Sequence, residues 1–305
     1  MKTKPYFLAI LLLFSFLKSS LLVAQNPYRI ANFASKYVLA RNIDIWLPKN
    51  YDPNGKKKYS VLYMHDGQNL FDAKNSYGGQ EWGIDETIQK LLDEKKIQDC
   101  IVVGVWNSPK RFFEYVPQKA MQNISQKDLD AIAAIRLKGE NNPKIEFLAD
   151  NYLRFLVEEL KPYIDKNYKT KTDRKHTFVA GSSMGGLISM YAISEYPQIF
   201  GGAACVSTHW SVLFDNDHEV LSQSVRNYMQ QNFPKAGKHR IYFDFGTTTL
   251  DSLYEPHQQK VDAIIKNKGY RLNKDWLTVK AQGAAHNEAD WRKRFDQIAI
   301  FLLKK

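Results

Sequence analysis

Strand-like and helix-like segments alternate along this sequence, and the alternation predicts an α/β fold with a mostly parallel central sheet and helices on both faces. The run CIVVGVWN at 100–107 is largely apolar, as expected for a strand that is buried on both faces of a sheet. The chain has 305 residues, of which 44% are hydrophobic, and this is enough for one large core or two modest ones. Because no repeat and no linker rich in proline, glycine or serine interrupts the pattern, we expect a single domain after the N-terminal segment.

The predicted strands are short runs rich in β-branched and aromatic residues. In chain order they are NIDIWLP (42–48), YSVLYMHDG (59–67), CIVVGVWN (100–107), HTFVAGSS (176–183), GGAACVST (201–208), HRIYFDFG (239–246) and DWLTVKAQG (275–283).

The predicted helices are longer runs with apolar residues at helical spacing. They are DETIQKLLDEKK (85–96), FLADNYLRFLVEELKPYI (147–164), GGLISMYAISEYP (185–197), PHQQKVDAIIKNKG (256–269) and EADWRKRFDQIAIFLLKK (288–305). Two segments, 119–144 and 209–237, are longer than ordinary connections, and the first has a helical middle around DLDAIAAIRLKG. Long excursions of this kind in compact domains are usually functional caps or mobile segments, so we expect these two to build a pocket.

The first 24 residues have the plan of a secretory signal peptide. Lys2 and Lys4 precede an apolar run at 6–17, and Ala24 offers a cleavage position. The apolar run is about a dozen residues, which is short for a membrane-spanning helix. An uncleaved N-terminal anchor is the alternative. We therefore expect an exported protein, periplasmic or extracellular, whose domain covers 25–305 and is not inserted in the membrane after cleavage.

The chain is basic, with a formal net charge of +11. Its basic clusters, GKKK at 55–58 and KNYKTKTDRKH at 166–176, fall in predicted loops. Solvated surface is the ordinary interpretation of such loops, and attraction to anionic envelope material is the alternative. The sequence has no nucleic-acid fold signature and no interleaving of basic and aromatic residues, so we expect no nucleic-acid partner.

The sequence gives no sign of a metal site or a disulfide framework. Cys100 and Cys205, the two cysteines, each lie in or beside an apolar strand and are expected to be buried free thiols. Neither has the spacing of a metal ligand. The run DNDHE at 215–219 lacks a complete ligand set and is expected to be a polar loop or cap. We therefore expect neither a metal nor an organic cofactor.

The segment TFVAGSSMGGLISMYA at 177–192 contains the pattern G-x-S-x-G between a strand and a helix, which is the nucleophile elbow of α/β-hydrolases. The residues two before and two after the nucleophile crowd each other and must be very small. Gly181 and Gly185 flank Ser183 at these offsets, whereas Ser182 would have the bulky Met184 at one of them. The sequence thus favours Ser183, with the backbone N–H of Met184 aimed at a developing oxyanion. A serine that only caps the helix is the alternative.

A serine nucleophile needs a base, and His286 is the best candidate because it follows the last predicted strand, at the same sheet edge as the elbow. His239 precedes its strand and so falls at the opposite edge, His257 opens a helix, and His209 follows the strand after the elbow. The remaining candidate after the elbow is His218.

The base in turn needs an orienting carboxylate, which chain order places after the strand HRIYFDFG. Asp251 in GTTTLDSLYEP is the best placed. Asp244, within the strand, and Glu255, near the next helix, are the alternatives.

Five segments carry a resemblance to a known family: YMHDGQNLFD, EWGIDETIQKL, IVVGVWNSPKRFFEYVP, AGSSMGGLISMYAISEYPQIFGGAACVST and GAAHNEADWRKRF. In this order, from about residue 40 to the C terminus, they resemble the putative-esterase family of α/β-hydrolases, with enterochelin-esterase-like, feruloyl-esterase-like and esterase-D-like members. The resemblance implies an α/β-hydrolase fold and a carboxylic ester hydrolase.

The resemblance also implies catalytic roles. Ser183 would attack the ester carbonyl, His286 would take its proton and pass it to the leaving alcohol, and Asp251 would hold the imidazole. The backbone N–H groups of Met184 and Gln68 would form the oxyanion hole.

Further roles are implied for residues around the pocket. Asn107, Arg111, Glu114 and Tyr115 match an N…R..EY.P pattern and would brace the loop beside the pocket, with direct substrate binding by Arg111 as the second possibility.

His65 and Asp66 would shape the turn that carries Gln68, with His65 as a hydrogen-bonded structural histidine. Trp210 would line the acyl or alcohol pocket, with burial in the core as the equal alternative.

The sequence therefore predicts a serine-dependent esterase that acts on a small-molecule or glycan ester, such as a siderophore ester or an acylated sugar. Acyl transfer with the same triad, or a non-catalytic binding role on this fold, are the alternatives. The oligomeric state is not predicted.

Overall fold

The structure is a computed structural model, and it describes residues 27–138, 144–213 and 219–305. The predicted signal segment at 1–24 lies outside the described residues, as do His218 and residues 215–217 of the DNDHE run.

The described strands form one eight-stranded sheet in the order β1-β2-β4-β3-β5-β6-β7-β8. Strand β2 pairs antiparallel with both β1 and β4, and the other neighbouring strands are parallel. The strands are β1 Tyr28–Phe33, β2 Arg41–Trp46, β3 Ser60–His65, β4 Cys100–Val105, β5 Thr177–Ser182, β6 Gly202–Val206, β7 Arg240–Gly246 and β8 Trp276–Ala281.

The helices of the described ranges fill the connections between strands and cover the sheet. They are α1 Ile84–Asp93, α2 Arg111–Tyr115, α3 Gln126–Arg136, α4 Ala149–Arg154, α5 Lys161–Asn167, α6 Met184–Glu195, α7 Glu219–Asn232, α8 Glu255–Asn267 and α9 Glu288–Leu302. A π-helical segment, Phe155–Leu160, joins α4 to α5. In the described ranges, no helix combines the length and apolar character needed to cross a bilayer.

The core lies on both faces of the sheet. On one face, apolar side chains of α4 to α8 pack against the strands, and on the other face α1 and α9 pack together around Trp82, Trp291 and Phe295. Strands β3 to β6 are buried along their whole length, which explains their continuous apolar sequences. The predicted α/β class, with a mostly parallel sheet and helices on both faces, is confirmed.

The parallel strands bring four connections to one edge of the sheet, because the carboxyl ends of parallel strands point the same way. The turn after β3 begins at Asp66, the turn after β5 is Ser183, the loop after β7 contains Asp251, and the loop after β8 contains His286. The fold therefore gathers these predicted site residues at a single edge.

Both cysteines lie in the sheet interior, Cys100 in β4 and Cys205 in β6, and both are free thiols with no exposed surface. Burial raises the pKa of each thiol well above its ordinary value. Among the described residues, no group of three or more histidine, cysteine or acidic side chains is arranged to hold a metal ion.

Candidate active site

Ser183 forms the whole turn between β5 and α6, with φ 57° and ψ −120°. Its backbone N–H donates to the carbonyl of Val206 at 2.9 Å, which ties the turn to the neighbouring strand. A Cβ on Gly181 would lie 2.8 Å from the carbonyl atoms of Gly185, so the close approach predicted from the motif is present. Met184 is the first residue of α6, and its N–H therefore has no intrahelical acceptor. Ser183 occupies the elbow, whereas the neighbouring serine belongs to β5.

His286 and Asp251 form a close pair at the same edge. The Nδ1 atom of His286 lies 2.5 Å from Oδ1 of Asp251, whose side chain is fully buried. Burial acts to raise the pKa of Asp251, but hydrogen bonds from His286, Ser207 and the Gly246 N–H outweigh it and hold the pKa below its usual range. The carboxylate is thus ionised and accepts the Nδ1 proton of His286, which leaves Nε2 as the basic nitrogen.

The other candidate acids have different partners. Asp244 is fully buried in an ion pair with Arg294, at 2.8 Å between Oδ2 and Nε. Glu255 pairs with Lys280 at the surface, at 2.8 Å. Of the three carboxylates considered from the sequence, the structure brings Asp251 to the imidazole.

The remaining described histidines that follow the elbow lie elsewhere. His239 contacts the carbonyl of Pro197 through Nε2 at 2.8 Å, and Nδ1 of His257 lies 3.0 Å from the hydroxyl of Ser222.

His209 lies behind the elbow, and its Nδ1 is 2.8 Å from the hydroxyl of Tyr254. Burial raises the pKa of that tyrosine hydroxyl, and the nearby Ser183 side chain acts in the opposite direction. Burial, together with the nearby positive groups, lowers the pKa of His209 to about 3, so it is neutral at physiological pH. The sequence had not singled out Tyr254, which is one residue before a helix and carries no motif.

The turn after β3 is held by an ion pair. Asp66 adopts φ 56° and accepts two hydrogen bonds from Arg111 and one from Asn107, each at 2.7 Å. Burial opposes ionisation of Asp66, but Arg111 outweighs it and lowers the pKa of this carboxyl. Gly67 packs so closely on β4 that a Cβ would lie 2.5 Å from the backbone of Gly104. The turn therefore has a fixed backbone path.

Gln68 follows in that turn and lines the same pocket as Ser183 and His286. It is the middle residue of a single 3₁₀ turn, Gly67–Asn69, so its backbone N–H lacks a partner within the turn. This is the position that the resemblance implies for the second oxyanion donor.

The other bracing residues form a buried layer under the turn. Glu114 pairs with Arg41 at 2.7 Å, and each side chain is 1% exposed. His65 contacts the hydroxyl of Tyr152 through Nδ1 at 2.7 Å and packs its ring against Tyr115. Burial lowers the pKa of His65 to about 3. His65 therefore lies in the core as a neutral, hydrogen-bonded side chain.

A pocket of about 940 Å³ opens over Ser183 and His286. Much of its wall comes from the segment 68–80 between β3 and α1, and the opposite wall comes from Leu250 and the start of α9. Side-chain amides are prominent in the lining: Gln68, Asn69, Asn75, Gln80, Asn107 and Asn287. The exposed ring of Tyr77 stands at its margin and is 82% exposed.

The described parts of the excursions at 119–144 and 209–237 do not line this pocket. Their apolar residues pack into the core instead: Ile132 of α3, and Leu221, Val225 and Met229 of α7 are buried there. A sequence pattern shows that such segments are long, but not which side of the sheet their apolar faces reach.

Trp210 is buried in the core, which is the second of the two positions considered for it from the sequence, and not in the wall of the pocket. Its indole N–H donates to Gln258 at 3.0 Å, and its ring packs against Phe243. It is 1% exposed and does not line the pocket, because the chain after β6 turns inward here. Arg111 does line the pocket, while also paired with Asp66.

Three comparisons place the chain among known proteins. It matches the model of the Esterase family, described as Putative esterase, over residues 39–302. The uncharacterized protein YbbA of Bacillus subtilis is 21% identical over 272 residues, or 87% of this chain and 93% of YbbA. The endo-1,4-beta-xylanase/feruloyl esterase of Xylanibacter ruminicola is 29% identical over 264 residues, or 86% of this chain and 29% of that protein.

The fold is also found in solved structures. The enterobactin esterase FES from Shigella flexneri, in the presence of enterobactin, superposes with a TM-score of 0.66 at 15% identity, over 91% of this chain and 58% of that one. This likeness agrees with an α/β-hydrolase type of fold. Since the family model covers most of the chain, the resemblance predicted from the sequence is confirmed: this chain belongs to the Putative esterase family and is a carboxylic ester hydrolase.

Proposed function

We propose that this ester hydrolase uses Ser183, His286 and Asp251 as a catalytic triad. The observation that carries the proposal is the 2.5 Å contact between His286 Nδ1 and buried Asp251, at the edge where Ser183 forms a strained turn. A serine hydroxyl is a weak nucleophile until a neighbouring base takes its proton, and that base must be held in one tautomer. The ionised carboxylate supplies this restraint.

In the proposed reaction, these three residues have separate roles. Ser183 Oγ attacks the ester carbonyl while His286 Nε2 accepts its proton, and the imidazolium that forms is stabilised by Asp251. The backbone N–H groups of Met184 and Gln68 receive the developing oxyanion. His286 then returns the proton to the leaving alcohol. Water then attacks the acyl carbon of the acyl-enzyme while the same nitrogen takes a proton from it. His286 gives this proton to Ser183 Oγ as the acid leaves, which restores the free serine.

The pocket lining supports a neutral, hydroxyl-rich substrate. Its amides can donate and accept hydrogen bonds, and its arginine, Arg111, is already paired with Asp66. The relatives act on feruloyl esters and on enterobactin, by their names. Between these classes, an acylated sugar fits the amide-lined wall better than an anionic iron chelate, although the chain as a whole is basic. We therefore propose acylated sugars as the substrate class and siderophore esters as the second choice.

The place of action is proposed from the sequence. The lysines at 2 and 4, the apolar run at 6–17 and Ala24 support export to the periplasm or the outside of the cell.

Replacing the nucleophile tests the proposed chemistry. We expect Ser183→Ala to lower kcat on p-nitrophenyl acetate by about 10³-fold or more, because the covalent step is lost. A fluorophosphonate probe should label the native protein and not the variant. Ser182→Ala is the matched control, since Ser182 lies in β5 beside the turn, and it should keep the label. Unchanged turnover in Ser183→Ala would exclude the triad.

A further inference from the structure

Ser207 lies just past β6, buried beneath the proposed triad, and neither the motifs nor the family resemblance assigned it a role. Its backbone adopts φ 41°, and its side chain is buried. Its Oγ lies 2.5 Å from Oδ2 of Asp251, the carboxylate oxygen that does not contact His286. The Ser207 hydroxyl therefore contacts the proposed triad through the Asp251 oxygen that His286 does not use.

The direction of the Ser207 proton follows from its other partners. The indole Nε1 of Trp291 lies 3.0 Å from Ser207 Oγ, and Nη2 of Arg294 lies 2.8 Å from it. Both groups can only donate hydrogen bonds. Ser207 Oγ must accept from both, so its single proton is directed at Asp251. Trp291 and Arg294 therefore donate to Ser207, and Ser207 donates to Asp251.

The arginine in this chain of hydrogen bonds is itself fixed. Arg294 donates to Asp244 through Nε at 2.8 Å and through Nη2 at 3.1 Å. Asp244 also accepts the backbone N–H of Ser207 at 2.9 Å and the hydroxyl of Tyr242 at 3.1 Å. The buried charge is therefore paired, and Arg294 Nη2 remains 4.0 Å from Asp251 Oδ2. Its positive charge favours the ionised form of that carboxylate.

Trp291 also packs against the imidazole of His286. The ring of Trp291 meets the ring of His286 edge to face, with centroids 5.0 Å apart at 81°. Tyr254 meets His286 in a similar way, at 5.7 Å and 82°. Trp291 therefore contacts both the base and the hydroxyl behind the acid.

We propose that Ser207 is a positioning residue for ester hydrolysis: its hydroxyl, held by Trp291 and Arg294, aims the ionised Asp251 at His286. The inference rests on the proposed triad. Asp244 is assigned the supporting role of anchoring Arg294. The acid considered as an alternative from the sequence thus serves the site through its ion pair.

Two substitutions at this position test the proposal. Ser207→Ala removes the hydroxyl, and Ser207→Gly does so with a residue that accepts the positive φ, so a folded variant is available. We expect kcat to fall by about 10- to 100-fold in both, with KM changed less than about twofold, because a hydrogen bond to a charged group is lost away from the substrate.

The pH profile separates positioning from packing. Without the hydrogen bond from Ser207, the negative charge of Asp251 is stabilised by one donor fewer. Asp251 then stabilises the protonated form of His286 more strongly. We expect the acid limb of kcat/KM to move to higher pH in both variants. The other groups that act on His286, Glu288 and His209, are unchanged in them.

Ser194→Ala is the matched control, since it removes a buried hydroxyl that donates within α6 to the Met190 carbonyl. It should leave both kcat and the acid limb as in the native protein. Native kcat and pH profile in folded Ser207→Gly would overturn this inference while Ser183→Ala remains inactive. If Ser183→Ala is active, the proposed triad fails instead.

Discussion

At the residue scale, the elbow depends on two glycines that make unequal demands. A Cβ on Gly181 would lie 2.8 Å from the backbone of Gly185, which cannot move without changing the turn. A Cβ on Gly185 would meet the side-chain atoms of Asp66 and His65 at 3.3 and 3.4 Å. The motif requires a very small residue at both positions, whereas in the structure the steric requirement for glycine is more severe at Gly181 than at Gly185.

We therefore expect Gly181→Ala to lower the free energy of unfolding by about 1–3 kcal/mol, as overpacking does, and to slow fluorophosphonate labelling. Gly185→Ala should cost less than Gly181→Ala, because its Cβ would approach side-chain atoms at 3.3–3.4 Å instead of backbone atoms at 2.8 Å. Urea unfolding at pH 7 compares them, and equal losses would contradict the steric argument.

The sequence predicted single residues best where a short motif carries a mechanism. Ser183 follows from the size of its neighbours in the chain. The sequence favoured Asp251 by its place after the strand but left Asp244 open, because the partner of Asp244 is Arg294, which is 50 residues away in the sequence. Ser207 could have been found from one signal: it directly follows β6, the strand that neighbours the elbow strand.

At the scale of elements, the segment 68–80 forms much of the pocket wall although it is neither strand nor long helix. Asn69 holds it, because its side chain accepts from the N–H of Tyr77 at 2.9 Å and donates to Glu288 of α9 at 3.1 Å. Gly78 and Gly79 have φ near +70°, which suits a tight turn. The segment thus presents the Tyr77 ring at the pocket margin.

Tyr77→Ala should raise KM for an acylated oligosaccharide by about 5- to 20-fold, since a covered aromatic ring contributes on the order of 1–2 kcal/mol. The kcat on p-nitrophenyl acetate should not change, because that ester is too small to reach the margin. Tyr28→Ala, which removes an exposed tyrosine of β1, is the control. Equal effects of both changes on KM would argue against a role for Tyr77.

Elements with regular burial were predicted, and irregular ones were not. Strand β1 was missed because most of its residues are exposed, and its pairing shifts register between Ile30 and Phe33. The sequence of β1 therefore has neither a continuous apolar run nor a regular alternation of apolar and polar residues from which a strand could be predicted. Helix α7 was left inside the second excursion for a similar reason, as its apolar residues are spaced among many polar ones.

At the scale of the whole molecule, the fold buries two neutral histidines on either side of the elbow. Burial lowers the pKa of His65 and His209 from 6.5 to about 3. Below pH 6.5 these two histidines are protonated in the unfolded chain but remain neutral in the folded chain, down to a pH of about 3. Their contribution to stability is therefore complete above pH 6.5 and is lost as the pH falls towards 3.

We expect the free energy of unfolding to fall from pH 6 to pH 4, by up to about 1.4 kcal/mol per pH unit for each buried histidine. His65→Gln, which cannot titrate, should reduce this slope by up to about 1.4 kcal/mol per pH unit. Urea unfolding at pH 7, 6, 5 and 4 gives the slopes, and an unaltered slope in His65→Gln would contradict the linkage.

The buried thiols of β4 and β6 also make the protein suited to optical work. Cys100 and Cys205 are the two cysteines of the chain, and both are shielded from solvent by the sheet. A cysteine added at an exposed position would be the thiol that a maleimide dye reaches in the folded protein. Tyr77→Cys would place such a dye at the pocket margin, so that fluorescence follows the arrival of substrate while the native cysteines stay in place.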